Sequence, residues 1–281
     1  MVDGDVDACE LVWDDAITDV RTRFGLPVIE RTPELVERMR SRVRHLLATD
    51  PDGSFVATRD GDVVGVAQAL VRDDVWVLSL LGVAPPVQAQ GIGRRLLEAA
   101  LSYAGGRRGM ILSSRDPKAM RRYALAGFDL HPAVTAWGRV VHDRLPATPG
   151  VREGSAGDLD LVAEVDRHVR GAARGLDIAH LLEEAGRLLV VDGVGYVVVR
   201  DEGRPVLLAA RDDGAATALL FAALAGAPRD RETEVGWITA DQQWAIRASL
   251  VAGLELHPVG PVMLRGFARP PAPYLPSGAF G

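Results

Sequence analysis

The chain has 281 residues, enough for one large domain or two ordinary ones, and its 48% hydrophobic and 25% charged residues are the balance of a soluble globular protein. A net charge of −6 without any basic run excludes a general nucleic-acid binder, while an acidic surface tolerates a cationic amine. The single cysteine, Cys9, excludes an internal disulfide, and no apolar run is long enough to span a bilayer. The acidic N-terminus lacks a secretory core, so a cytoplasmic location without a membrane partner is expected.

In chain order, residues 11–24 read as a first helix. Thr32-Pro33-Glu34 opens a second, with Thr as cap and Pro at the first position, running to about Ala48. Arg38, Arg40, Arg42 and Arg44 are expected on its solvated face. Residues 54–59 and 63–70 are β-rich runs joined at Asp60-Gly61, a hairpin signal. A turn at Arg72-Asp73-Asp74 leads into the apolar run 75–81, a buried strand. The loop 83–93 follows, and then a helical pattern with Ile92, Leu96, Leu97, Ala100 and Leu101 apolar. Residues 109–114 form another short strand. Asp116-Pro117 caps and starts a helix that Gly127 closes, and residues 133–141 supply a further strand. Two prolines and a glycine mark 144–150 as a linker.

The loop is Gln88-Ala89-Gln90-Gly91-Ile92-Gly93, with Arg94 and Arg95 after it. The first amides of a helix have no partner inside it and sit at the positive end of its dipole. Gly91 and Gly93 place no side chain over those amides, and the arginines add charge, a combination suited to a pyrophosphate. A dinucleotide fingerprint needs a third glycine where Leu96 stands, and a Walker loop needs Gly-Lys-Ser/Thr. What fits is Gln/Arg-x-x-Gly-x-Gly/Ala, and with Val83 and Pro85 before it this resembles the acetyl-coenzyme A loop of the GNAT N-acetyltransferase family. A second segment, Asp116-x-x-Ala119-x-x-x-Tyr123-x-x-x-Gly127-Phe128, is similar to that family's Asn-x-x-Ala-x-x-x-Tyr-x-x-x-Gly-Phe. The departure is Asp for Asn, and a carboxylate cannot donate a hydrogen bond to a cofactor arm.

The second half repeats the first. Ala126-Gly127-Phe128-Asp129-Leu130-His131-Pro132 matches Ala252-Gly253-Leu254-Glu255-Leu256-His257-Pro258, an offset of 126 residues (253 − 127). Leu96 to Leu101 is echoed by Leu219 to Leu224. Residues 187–200 read as a strand hairpin and 206–210 as a short strand. The expected fold is therefore α/β (α+β): two tandem GNAT-like modules, each a mixed, mostly antiparallel sheet flanked by helices. Residues 1–145 are the acetyl-coenzyme A module, 146–269 a degenerate module, and 270–281 a tail that Tyr274 and Phe280 anchor. In the second module the repeat sets Arg211-Asp212-Asp213-Gly214-Ala215-Ala216 against the loop, with two carboxylates where phosphate charge would sit, and Ser249 against Tyr123. Its expected job is to cover the first module as the second subunit of a dimer would, making the chain a monomeric pseudo-dimer or a homodimer.

The resemblance implies acyl transfer from acetyl-coenzyme A to a small-molecule or peptide amine, without a metal. It places the cofactor arm against the backbone of Leu81, Gly82 and Val83, the pyrophosphate at Gln88, Ala89, Gln90, Gly91, Ile92, Gly93 and Arg94, and Asp116 and Tyr123 beside it. Tyr123 has the reach to protonate the leaving sulfur. Many members carry a Glu on the strand before the loop; here residues 75–81 hold no carboxylate, leaving Ser79, Asp73 or Asp74 to act through water. Phe24, Leu26 and Trp76 are candidate acceptor-pocket residues. The alternative reading is a catalytically weak acyl-coenzyme A sensor or partner-binding protein. His180 with Glu183 and Glu184 lacks a further metal ligand and reads as surface. His131 and His257 read as structural, and Cys9 as lying in a mobile end without a basic neighbour.

Overall fold

A computed structural model describes residues 1–200 and 203–281. Helix α1 (Val6–Arg23) starts earlier than its pattern suggests, because Val6, Cys9 and Val12 turn inward onto α2 (Pro33–Thr49). Thr32 caps α2 by accepting from the Leu35 amide at 3.3 Å, with Pro33 in the first turn. Cys9 is fully buried there rather than at a mobile end, and burial pushes its thiol up to about 12. Strands β1 (Ser54–Arg59), β2 (Asp62–Arg72) and β3 (Val75–Val83) form an antiparallel meander. Asp60 and Gly61 both adopt positive φ, as the two-residue hairpin turn requires. Helix α3 (Ile92–Ala104) lays Leu96, Leu97 and Ala100 on one face of this sheet, while α1 and α2 cover the other. The chain continues through β4 (Arg108–Leu112), α4 (Pro117–Leu125) and β5 (Asp129–Gly138).

Past the linker, β6 (Val151–Glu153), α5 (Leu159–Val169) and α6 (Leu176–Ala185) lead to β7 (Arg187–Val191), β8 (Gly195–Val199) and β9 (Pro205–Ala210). Then follow α7 (Asp213–Ala225), β10 (Thr233–Thr239), α8 (Gln243–Val251), β11 (Glu255–Arg265) and β12 (Tyr274–Leu275). The repeat holds in geometry. Gly127 and Gly253 close α4 and α8 with φ of 86° and 87°, and the same turn bond recurs from Phe128 to Tyr123 and from Leu254 to Ser249. Strands β5 and β11 begin at equivalent residues, Asp129 and Glu255.

The strands are dealt across the two halves. One seven-stranded sheet runs β1-β2-β3-β4-β11-β5-β10, and a second runs β12-β9-β8-β7-β6. Thus β11 of the second half lies between β4 and β5 of the first, and β5 lies between β11 and β10. Ala133 and Val259, equivalent under the repeat, pair directly, so a local two-fold axis passes between β5 and β11. A common core follows. Leu46, Leu70, Val75 and Val77 pack with Val162, Ile178, Val190 and Tyr196. The tail joins it through Phe280, fully buried, and Tyr274.

Polar groups seal the same contact. Arg72 reaches Asp50 at 2.8 Å and Asp177 of α6 at 2.7 Å, and His45 shares Asp177 at 2.8 Å. Burial pushes the Asp177 carboxyl up, but the hydrogen bonds with His45 and Arg72 outweigh it and hold the group below its usual range. His180 is not at the surface: its ring stacks on His45 at 4.3 Å and meets Phe280 edge-on.

Candidate functional site

Parallel pairing of β3 with β4 ends at Leu78 and Ile111, and beyond that point the two strands part. The gap opens into a cavity of about 970 Å³ that α1, α2, α4, α6 and the tail also wall. Ser79 is the extra residue of a β-bulge, since Gln68 faces Leu80 and Ala69 faces Leu78. The bulge changes which face each side chain takes. Leu80 joins Met39 and Val43, while Leu81 turns toward the α3 face. The backbone of Leu81, Gly82 and Val83 borders the cavity on the edge that β4 leaves uncovered.

At the cavity's other end is the start of α3. Ala89 and Gly91 both have positive φ, 63° and 84°, and the bend turns successive amides inward as an anion-binding nest. No backbone N–H from Ala89 to Gly93 has a hydrogen-bond acceptor among the described residues, and no side chain caps the helix. A Cβ on Gly91 would meet nothing within 4 Å, whereas one on Gly93 would lie 2.8 Å from the Arg122 guanidinium. That guanidinium therefore stands over the open amides, and Arg115 and Lys118 line the same end. Gln88 ties the loop back to the strand, donating to the Val83 carbonyl at 3.0 Å. This set fits a pyrophosphate: bare amides, a helix dipole, and basic side chains.

The equivalent helix α7 is closed. Asp212 caps it, accepting from the Ala215 amide at 2.8 Å, and Asp213 stands in its first turn. A carboxylate of the chain itself occupies the place where an anion would bind.

Most sequence-predicted residues converge on the cavity: Ser79, Leu81 to Val83, Gln88, Ala89, Gly91, Gly93, Asp116, Tyr123 and Leu26 line it. Others do not. Trp76 is fully buried against Phe128, with its indole N–H donating to the Ala100 carbonyl at 3.0 Å, so it is a core residue rather than a pocket residue. Phe24 is exposed beyond the α1 terminus and does not line the cavity. Ile92 is a core side chain, leaving only its amide to the nest. Gln90 accepts from Arg59 and Arg94 pairs with Glu98, both on the outside. Asp116 has both oxygens engaged, one capping α4 through the Lys118 amide at 2.8 Å and one on Arg23 at 3.2 Å. Asp73 and Asp74 lie at the far end of β3, accepting from the Ala173 amide and from Arg108.

Tyr123 is 6% exposed and lines the cavity, and burial raises its phenol pKa well above the ordinary value. It therefore stays protonated, able to donate. Ser79 is held by Arg42, whose Nε donates to Oγ at 3.2 Å while Nη2 donates to the Ser79 carbonyl. This corrects the expectation of a solvated arginine face. Arg42 shares the inward stripe with Met39, Val43 and Leu46, and burial lowers its guanidinium pKa to about 10, against the opposing pull of Glu184. Neither Arg42 nor Arg122 carries a local sequence signal.

A family model described as the acetyltransferase (GNAT) family matches residues 15–128, the segment that contains both the β3 edge and the α3 nest. The match makes the first half of the chain similar to a GNAT module. Similar solved structures extend the likeness over both halves. A candidate acetyltransferase from Pyrococcus horikoshii superposes with a TM-score of 0.76 at 18% identity, covering 100% of this chain and 94% of that one. A GCN5-related N-acetyltransferase from Sphaerobacter thermophilus gives 0.60 at 15% identity, over 94% and 93%. A tandem GNAT protein from the clavulanic acid biosynthesis pathway gives 0.55 at 17%, over 92% and 95%. At these identities the likeness is one of fold: this chain is built as two GNAT-like modules. No curated protein matches it in sequence. No helix among the described residues is long and apolar enough to cross a membrane.

Proposed function

We propose that the GNAT module moves an acetyl group from acetyl-coenzyme A to a primary amine by direct attack of the amine on the thioester carbonyl. The observation that carries this reading is the contrast between two equivalent helices, α3 with open amides facing a cavity and α7 capped by its own Asp212. In this reading the amides of Ala89 to Gly93 and the Arg122 guanidinium hold the pyrophosphate. The backbone of Leu81, Gly82 and Val83 pairs with the pantetheine arm, and an N–H there polarises the carbonyl. Tyr123 gives its proton to the departing sulfur. Arg42 fixes the bulge at Ser79, so Ser79 orders the strand end and the acceptor rather than taking a proton. The acceptor enters between Leu26 and the second module.

Residues 1–145 then form the catalytic unit, 146–269 a cover that closes the cavity, and 270–281 a strap. The chain works as a cytoplasmic monomer with a built-in partner. A second reading, coenzyme binding without turnover, draws on the absence of a carboxylate from β3. Calorimetric titration with acetyl-coenzyme A, followed by thiol release with polyamines, aminoglycosides, amino acids and peptide N-termini, tests both. No heat of binding sinks both; binding with no amine-dependent thiol release leaves only the second.

A further inference from the structure

Strand β3 carries no carboxylate, and the cavity offers one from the other half. Among the described residues four carboxylates line it: Glu30, Asp116, Glu184 and Glu234. Asp116 is spent on the Lys118 amide and Arg23. Glu234 binds Arg204 at 2.9 Å and accepts from the Thr135 hydroxyl at 3.1 Å. Glu30 is exposed on the connection between α1 and α2. Glu184, in the last turn of α6, differs from all three. Its side chain is 12% exposed, and its buried Oε1 has no hydrogen-bond donor. His180 Nε2 lies 3.2 Å away, outside hydrogen-bond geometry and itself without a hydrogen-bond partner. A buried acceptor without a donor is costly in a fold and calls for an explanation.

The surroundings hold this side chain in place. Its neighbour His180 is stacked on His45, which Asp177 fixes in turn. Arg42 lines the same cavity, feels the charge of Glu184, and grips Ser79 two residues before Leu81. The residue that holds the end of β3 therefore shares the cavity with Glu184.

Resting on the acyl-transfer reading above, we propose that Glu184, carried by the second module, accepts the proton of the nucleophile in the first module's reaction. The amine nitrogen forms its bond to the thioester carbonyl carbon, and its N–H proton passes to the Glu184 carboxylate. The carbon–sulfur bond breaks, and the sulfur takes the Tyr123 proton. Glu184 then loses its proton to solvent and Tyr123 regains one, so that amine and thioester give amide and thiol. With water as nucleophile the same transfer gives acetate, thiol and a proton, which makes the step measurable without knowing the acceptor.

The experiment compares wild type, Glu184→Gln and Glu184→Asp for acetyl-coenzyme A binding by calorimetry and for thiol release in buffer across pH. The titratable and charged groups packed around Glu184 are Arg42, His180 and His45 with Asp177, and along the cavity Arg200 and the Arg204–Glu234 pair. Binding stays the same in all three proteins. Release falls about 100-fold in Glu184→Gln, the scale of one general base, and the acid limb of its pH profile disappears, while Glu184→Asp recovers part of the rate. Wild-type release in Glu184→Gln overturns the assignment, as does a wild type that binds the thioester and never hydrolyses it. A wild type that fails to bind acetyl-coenzyme A overturns the acyl-transfer reading itself, by a separate measurement.

Discussion

Gly91→Asp transplants the arrangement of α7 onto α3, and its effect can be worked out from the two helix termini. In α7 the Asp212 carboxylate accepts from the Ala215 amide at 2.8 Å. An aspartate at Gly91 would stand at the N-cap of α3, beside the open amides, with open space around its Cβ, on a left-handed backbone where Asp212 is extended. The backbone there has φ of 84°, so a side chain adds strain of about 1–2 kcal/mol, eased for Asp by its tolerance of the left-handed region. Asp gains only a few tenths of a kcal/mol over Gly as a cap, so the fold loses about 1 kcal/mol. Binding suffers more. A carboxylate about 4 Å from one phosphate charge costs roughly 4 kcal/mol at an effective dielectric constant of about 20. That converts to about 1,000-fold in affinity for acetyl-coenzyme A. Gly91→Asn separates the contributions: it brings the same strain and blocks the same amides without the charge, and is expected to lose about tenfold, roughly 1.4 kcal/mol. Calorimetric titration of the three proteins, with urea unfolding as the control, reads both effects. Equal losses for Asn and Asp, or near wild-type affinity in Gly91→Asp, would refute an electrostatic nest at this loop.

Tyr123→Phe keeps acetyl-coenzyme A affinity and lowers thiol release roughly 100-fold at neutral pH, the weight of one general acid; unchanged release would remove Tyr123 from the chemistry. Arg72→Met leaves Asp50 and Asp177 buried without their shared cation and costs about 3–5 kcal/mol by urea unfolding; a loss under about 1 kcal/mol would mean that the network adds nothing to the contact. In the wild type the folded Asp177 pKa is depressed, so its stabilisation is complete above the ordinary value of 3.8 and fades as pH falls below it. At the alkaline end all four tyrosines, Tyr103, Tyr123, Tyr196 and Tyr274, sit above the ordinary value of 10.0, burial being the first cause in each. Raised folded-state values mean stability is complete below pH 10 and is lost as pH rises beyond it. Phenolate absorbance should therefore grow together with loss of circular dichroism. A phenol ionising at 10 in intact protein would contradict this.

What could be read from the sequence is what local chemistry writes into it. Thr32-Pro33, Asp60-Gly61, Gly91-Ile92-Gly93 and Asp116-Pro117 each state their conformation within a few residues, and all four appear where expected. The repeat was legible because equivalent turns need the same glycine, Gly127 and Gly253. The misplacements share one cause, contacts between distant segments. Trp76 lies on a strand buried on both faces, so alternation could not tell pocket from core. Arg42 looks solvent-facing beside Arg38 and Arg44, and only its position over the bulge at Ser79 makes it an inner residue. His180 and Glu184 sit on a helix whose partner is 132 residues away, as His45 and Asp177 make plain. The interleaving of β5 and β11 was equally hidden, because strand order is decided by the assembled sheet.

That interleaving sets the terms on which this chain can be cut. A cleavage in the stretch 144–150 would leave an amino-terminal piece whose β4 edge lacks its neighbour β11, and a carboxy-terminal piece whose β11 lacks both of its own. Such pieces are expected to stay unfolded singly and to recombine when mixed, as split reporters do. A second half whose α7 is capped by its own Asp212 thus cannot be shed by deletion, since half of its sibling's hydrogen-bonded seam would leave with it.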